Sequence, residues 1–243
     1  MVNDDIVIQP VKGRHDSILP PQAVIIPNPA DAKEAGRRLR QRGLSRRSFY
    51  YTDLFVDHKR GISVAGPCLG APAAALVMEK LIVLGVKDII VLSCCGAINA
   101  AFSLGDIVLA VSGVSGEGVS RYYCGNRTVL PSRSGTRRLR DRLRNGERRL
   151  REGCIWSTDA PYRESRKMLG RLREQDGVDG VDMEFTALCS VASFRGVSCS
   201  GIFIVSDELW RDCWRPGFTS ESFRESRDLV FDCLLFAHVK KAV

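Results

Sequence analysis

The 243-residue chain is poor in several things, and each shortage removes a class of function. Apolar stretches such as residues 89–91 and 197–205 are too short or too broken by polar residues to cross a bilayer, which takes about 20 apolar residues. A soluble protein with no membrane partner is expected. The opening decapeptide, MVNDDIVIQP, carries two acids and no basic stretch, so it does not read as a secretory signal, and the cytoplasm is the expected compartment. Histidine is scarce, with His15, His58 and His238 far apart, and the nine cysteines form no CxxC pair. Neither a histidine-rich metal centre nor structural zinc is therefore expected. Most of those cysteines, odd in number, sit inside apolar runs, where a free thiol packs as a small hydrophobe. Neither a Pro/Ser/Gly-rich linker nor an internal repeat divides the chain, and residues 1–243 are expected to form one domain.

What is present is an ordinary globular balance, 44% hydrophobic and 26% charged, which excludes disorder and fibre. The formal charge of +8 favours anionic partners without naming one. Residues 137–151, RRLRDRLRNGERRLR, hold eight arginines but no aromatic on which a base could stack, so nucleic acid is not expected. Leu139, Leu143 and Leu150 recur at helical spacing with Asp141 and Glu147 as partners, which predicts a solvated amphipathic helix broken near Asn145-Gly146.

Short β-branched runs bounded by turn residues predict buried strands at 23–26, 62–65, 88–93, 106–111 and 201–205. Helical spacing predicts helices at 71–84, with Pro72 in its first turn, at 185–194, and at 220–239. The alternation predicts an α/β fold with helices on both faces of a sheet.

Four polar or glycine-bearing segments end predicted strands, where α/β folds place their ligands. They are Gly66-Pro-Cys-Leu-Gly-Ala-Pro72, Ser93-Cys-Cys-Gly-Ala-Ile98, Val181-Asp-Met-Glu184 and Val205-Ser-Asp-Glu208. Taken singly, the first is a turn, the second a close backbone approach, and each acidic pair a helix or turn cap. Their order, together with Leu104-Gly-Asp-Ile-Val108, Glu117-Gly-Val-Ser-Arg-Tyr-Tyr123 and Ser157-Thr-Asp-Ala-Pro-Tyr162, resembles the nucleoside phosphorylase superfamily across residues 23–232. That group contains uridine phosphorylase and the hexameric purine nucleoside phosphorylases, with nucleosidases as hydrolytic relatives.

The resemblance implies a three-layer αβα sandwich around a mixed, partly barrel-like central sheet. It also implies cleavage of a ribonucleoside N-glycosidic bond, with phosphate as co-substrate and no cofactor or metal. Glu184 and Asp207 would be the catalytic groups, one gripping the ribose and favouring its developing positive charge, the other donating to a purine ring nitrogen. Met183 would lie beneath the sugar, Cys94, Cys95 and Gly96 would line the small-residue turn, and Tyr162 and Arg166 would face the base. Arg47 would reach phosphate, with Cys94, across an interface between copies, which implies a homo-oligomer built from dimers, up to a hexamer.

Two departures bear on phosphate. Val91 stands where phosphorylases of this group carry an arginine, and the opening loop reads Pro27-Asn-Pro29-Ala30-Asp31 without its arginine. A nucleosidase and a nucleoside-binding protein without turnover are therefore the alternative expectations. The residues after Tyr162 keep an arginine but lack the glutamine that reads uracil, whereas Asp207 is of the purine type, with Arg224 as a candidate assistant.

Overall fold

The computed structural model describes residues 6–143 and 150–236. Its strands are β1 (Gln22–Ile25), β2 (Arg47–Phe49), β3 (Thr52–Asp57), β4 (Ile62–Gly66), β5 (Asp88–Ala97), β6 (Ile107–Gly116), β7 (Thr128–Val129), β8 (Leu150–Thr158), β9 (Gly180–Asp182), β10 (Ser198–Glu208) and β11 (Arg215–Pro216). The helices are α1 (Pro29–Gln41), α2 (Ala71–Val83), α3 (Ser120–Tyr123), α4 (Arg133–Leu143), α5 (Arg166–Asp176), α6 (Phe185–Arg195) and α7 (Glu221–Phe231).

All strands join one mixed sheet, in the order β11-β10-β6-β8-β9-β5-β1-β4-β3-β2 with β7 beside β6. A further β10–β5 pairing closes β5, β10, β6, β8 and β9 into a ring. This is the barrel-like part of the sheet; β1, β4, β3 and β2 extend from it as an open wing.

The period of two explains why the central strands read as unbroken apolar runs. Ile89 and Val91 of β5 and Phe203 and Val205 of β10 pack with α2 and α6 residues such as Met78, Leu81 and Leu188. Their neighbours Ile90, Leu92, Ile202 and Ile204 point the other way, into a core with Leu39, Leu139, Phe223 and Phe231 from α1, α4 and α7. Helices thus cover both faces. A third cluster sets Leu169 and Leu172 of α5 against Ile98, Val114 and Trp156. From Phe185 to Ala192 every residue of α6 is buried, as befits a helix held between sheet and neighbouring helices. Among the described residues no helix is long and apolar enough to cross a membrane.

Several boundaries differ from the sequence reading. The segment 93–97 is strand rather than turn, because β5 pairs on to the end of β10 and then with β9 through Gly96↔Val181 and Ala97↔Gly180. The arginine-rich helix is α4, ending at Leu143, and Leu150 opens β8 instead of continuing a helix. The expected break at Asn145-Gly146 lies outside the described residues. So do residues 237–239 of the expected last helix, which runs as α7 and then a π turn, Asp232–Phe236. Strands β3 and β8 and helices α1 and α5 were not foreseen. Charges interrupt their patterns, and neighbouring elements rather than local periodicity fix their structure.

Candidate active site

The C-terminal ends of β5 and β10 meet the end of β9 around a cavity of about 530 Å³. Ser93, Cys94, Cys95 and Gly96 come from β5, Ser206 and Asp207 from β10, and Asp182, Met183 and Glu184 from the β9–α6 junction. Asn28, Leu69, Pro161, Tyr162, Glu164, Trp214 and Phe218 complete much of the wall. Seven of the nine residues expected to touch substrate or phosphate line it, namely Cys94, Cys95, Gly96, Tyr162, Met183, Glu184 and Asp207; Arg166 does not.

The ninth, Arg47, is exposed on β2, the edge strand of the wing, and does not line the cavity of its own chain either. Arg166 donates to the Arg211 carbonyl at 2.8 Å and also to that of Asp212, so it braces the segment after β10 rather than facing the base. Val91 is fully buried in β5, part of the core. Among the described residues, no Lys, Arg or His lines the cavity.

Each acidic pair divides between scaffold and cavity. Asp182 accepts hydrogen bonds from Ser157 Oγ (2.5 Å), Glu184 N (3.1 Å) and Phe185 N (2.8 Å), capping the start of α6. Glu184 stands at the N-cap position without capping. Its Oε1 instead accepts the Gly70 N–H at 2.5 Å, across from the start of α2. Gly70 takes φ = 91°, a conformation suited to glycine, which presents this N–H at a helix N-terminus where negative charge is favoured. Burial, with the neighbouring Asp182 second, nonetheless holds the Glu184 carboxyl above the usual carboxylate range.

At the end of β10 the same division recurs. Glu208 is buried against Leu104 N (3.2 Å), Arg215 (3.3 Å) and Arg211, and serves the scaffold. Asp207 faces the cavity, helped by a bulge: Val205 pairs with Cys95 and Asp207 with Gly96, leaving Ser206 as an extra residue that re-aims the strand end. Asp207 Oδ1 accepts from Ser206 Oγ at 2.7 Å and Oδ2 from Trp214 Nε1 at 2.8 Å. Gly96 gives the carboxyl room, since a Cβ there would lie 2.8 Å from Leu209 Cδ1 and 3.1 Å from Asp207 Oδ2. Arg224, the candidate assistant, donates to the Thr219 carbonyl instead, and Trp214 supplies Asp207 with a neutral donor.

The two cysteines form a surface, not a nucleophile. Burial, with Asp31 next, pushes the Cys94 thiol up to about 12, and burial holds Cys95 well above its ordinary value. Asn28 caps α1 by accepting from Ala30 N (2.9 Å) and Asp31 N (3.2 Å), while its amide donates to Cys94 Sγ at 3.5 Å. Asp31, the nearest acid to that loop, is buried with Arg227 3.7 Å away and does not line the cavity.

Sequence reasoning missed Glu164, Leu69, Trp214 and Phe218 among the lining residues. Glu164 lies two residues beyond Tyr162 in a segment already marked as base-facing; its charge was the available signal. Trp214 and Phe218 belong to a loop whose path follows from tertiary contacts alone. Among the described residues, no group of three His, Cys, Asp or Glu is placed to hold a metal ion.

Known proteins are similar to this chain in sequence and in fold. The purine nucleoside phosphorylase, DeoD-type, of Bacillus cytotoxicus is 26% identical over 185 residues, 75% of each chain. Its namesake from Bacillus cereus is 28% identical over 152 residues, which span 61% of this chain and 64% of that relative. In solved structures, the fold is similar to that of purine nucleoside phosphorylase from Toxoplasma gondii (TM-score 0.76, 18% identity, 90% of both chains). It is also similar to AMP nucleosidase from Bacteroides thetaiotaomicron (TM-score 0.72, 21% identity, 89% of this chain and 88% of that one). The sequence profile of the phosphorylase superfamily matches residues 22–230, a span that holds every described strand of the sheet. The chain belongs to the phosphorylase superfamily.

Proposed function

We propose that this protein cleaves the N-glycosidic bond of a nucleoside by phosphorolysis, releasing free base and ribose 1-phosphate. The observation that carries the reading is the convergence of Glu184, Met183 and Asp207 on one cavity, with each carboxyl anchored by its own hydrogen bonds. Breaking the bond develops positive charge on the sugar and negative charge on the base. Glu184, fixed by Gly70, accepts from the ribose hydroxyls and opposes the first charge. Met183 supplies an apolar, polarisable floor. Asp207, oriented by Ser206 and Trp214, donates toward a purine ring nitrogen and neutralises the second.

Phosphate needs a cation that the described lining lacks, and in this reading Arg47 of a second copy brings it, so the active form is at least a dimer and a hexamer built from dimers is its natural extension. Cys94 offers the adjoining neutral surface. Nine free cysteines suit a reducing compartment, and the proposal places the enzyme in the cytoplasm.

The same absence of a lining cation favours a second reading, hydrolysis. The resemblance places the water-activating acid of nucleosidases in the opening loop, where Asn28 is not an acid and Asp31 does not line the cavity, and this leaves phosphorolysis ahead.

The test is chromatographic detection of free base from purine and pyrimidine nucleosides, with and without phosphate. Release that requires phosphate is the expected outcome. Release without it replaces phosphorolysis with hydrolysis, and calorimetric binding with no release from any nucleoside makes the protein a binder.

A further inference from the structure

Glu164 stands apart from the other acids of the cavity. It follows the short 3₁₀ turn Pro161–Arg163 and is half-buried in the lining of the cavity, to which Tyr162, Trp214, Phe218 and Asp207 also belong. Trp214 is hydrogen-bonded to Asp207, and Asp207 is near enough to Glu164 to act on its charge, so these three share one end of the cavity, where an aromatic face suits a planar base, with the sugar at the Met183-Glu184 end. The acids differ in what already holds them. Asp207 accepts a hydrogen bond at each oxygen, Asp182 is spent on the start of α6, and Glu184 takes the Gly70 N–H. Among the described residues no hydrogen-bond donor reaches the Glu164 carboxyl.

We propose that Glu164 is a specificity-determining residue of the base subsite, accepting a hydrogen bond from an exocyclic amino group of a purine and so favouring amino-bearing purine nucleosides over those whose base carries only carbonyl substituents. The inference rests on the glycosidic-bond-cleaving reading above. Its physical ground is complementarity: a partly buried carboxyl without a donor is costly, and a ligand amino group supplies the donor that the chain does not. A carbonyl oxygen turned toward the same carboxyl sets acceptor against acceptor, with no lining cation among the described residues to relieve it. Uracil offers two such oxygens and hypoxanthine one. Burial, with Asp207 next, pushes the Glu164 carboxyl up to about 7, so near neutral pH it also has access to an acid form. In that form it donates to a ring nitrogen while its other oxygen still accepts from a neighbouring amino group, the pattern offered by the edge of adenine.

The experiment compares kcat/KM for base release from adenosine, guanosine, inosine and uridine by the full chain, by Glu164→Ala and by Glu164→Gln. In the unsubstituted protein adenosine or guanosine should exceed inosine; which of them leads tells which edge of the purine meets Glu164. Glu164→Ala should lower the favoured amino-bearing substrate about ten- to a hundredfold, the scale of a hydrogen bond to a charged group, and leave inosine within about threefold. Glu164→Gln, which keeps an accepting oxygen, should restore part of that preference. An equal fall on all four nucleosides, or no fall on any, overturns the assignment. If the unsubstituted protein releases no base at all, the functional reading fails separately. Calorimetry with adenine, guanine and hypoxanthine then decides the inference, which requires Glu164→Ala to weaken an amino-bearing base selectively.

Discussion

Helix α4 and the cavity lie on the same sheet yet treat charge in opposite ways. On α4 three arginines are spent on surface acids and backbone carbonyls: Arg138 pairs with Asp88 at 2.8 Å, Arg140 with Glu152 at 2.6 Å, and Arg142 donates to the carbonyls of Cys233 and Leu234. The cavity draws instead on Glu164, Asp182, Glu184 and Asp207, with no cation among its described lining residues. A chain of net charge +8 therefore presents an acidic site. Net charge describes the exterior that meets solvent, whereas chemistry is set by a few groups whose neighbours are fixed. Changing a cavity acid should cost turnover, and changing an exterior arginine should cost almost nothing.

The largest effect is expected at Glu184. Glu184→Gln keeps size and hydrogen-bonding reach but removes the charge that opposes the oxocarbenium ion, and base release should fall about 10²–10³-fold. Because burial raises the Glu184 carboxyl above its ordinary value, the active carboxylate is gained as pH rises through that raised value. The unsubstituted protein should show a corresponding rising limb in its rate profile, and Glu184→Gln should lose it. Asp207→Asn is the contrasting case: it should reduce purine nucleosides about 10²-fold or more and pyrimidine nucleosides far less. Steady-state rates on adenosine and uridine check both, and equal losses on the two substrates would remove Asp207 from the base.

How far this site was legible depends on what each residue needed. The apolar runs around Ile89 and Phe203 announced their strands because both faces of the central sheet are buried. Strand β8, which begins Leu-Arg-Glu-Gly, gave no such signal and exists because β6 and β9 flank it. Motif resemblance singled out Glu184 and Asp207, but it could not supply the physical separation of their roles from those of Asp182 and Glu208. That separation follows from the Ser157 and Gly70 contacts and from the Ser206 bulge, which join segments far apart in the chain. Arg166 was misplaced for the same reason, and the candidate Arg224 is likewise turned to a backbone carbonyl, since a guanidinium is directed by whichever carbonyls the fold brings within reach.

A smaller effect, on stability, is expected at Asp182. Asp182→Ala removes the cap of α6 and leaves the buried Ser157 hydroxyl without its acceptor, a loss of about 2 kcal/mol. The sign of its pH dependence follows from the carboxyl's raised value in the folded state, caused first by burial. A group that holds its proton more tightly when folded contributes stability at low pH and loses it as pH rises through the raised value. Thermal unfolding should therefore show a larger deficit for Asp182→Ala at pH 5 than at pH 8; a deficit that grows toward pH 8 contradicts the assignment.

The smallest effect is expected outside. Arg138→Ala breaks the Arg138–Asp88 pair, whose arginine side chain is 53% exposed. Solvent screens such a pair, and the loss should stay below about 1 kcal/mol, shrinking further when salt is raised. Turnover should remain within about twofold of the unsubstituted protein, because no part of α4 lines the cavity. Denaturant midpoints at low and high salt, with base release measured beside them, make the contrast quantitative. A salt-independent loss of several kcal/mol would mean that this arginine is built into the scaffold as firmly as the cavity acids are built into the site, and the division between exterior charge and catalytic charge would no longer hold.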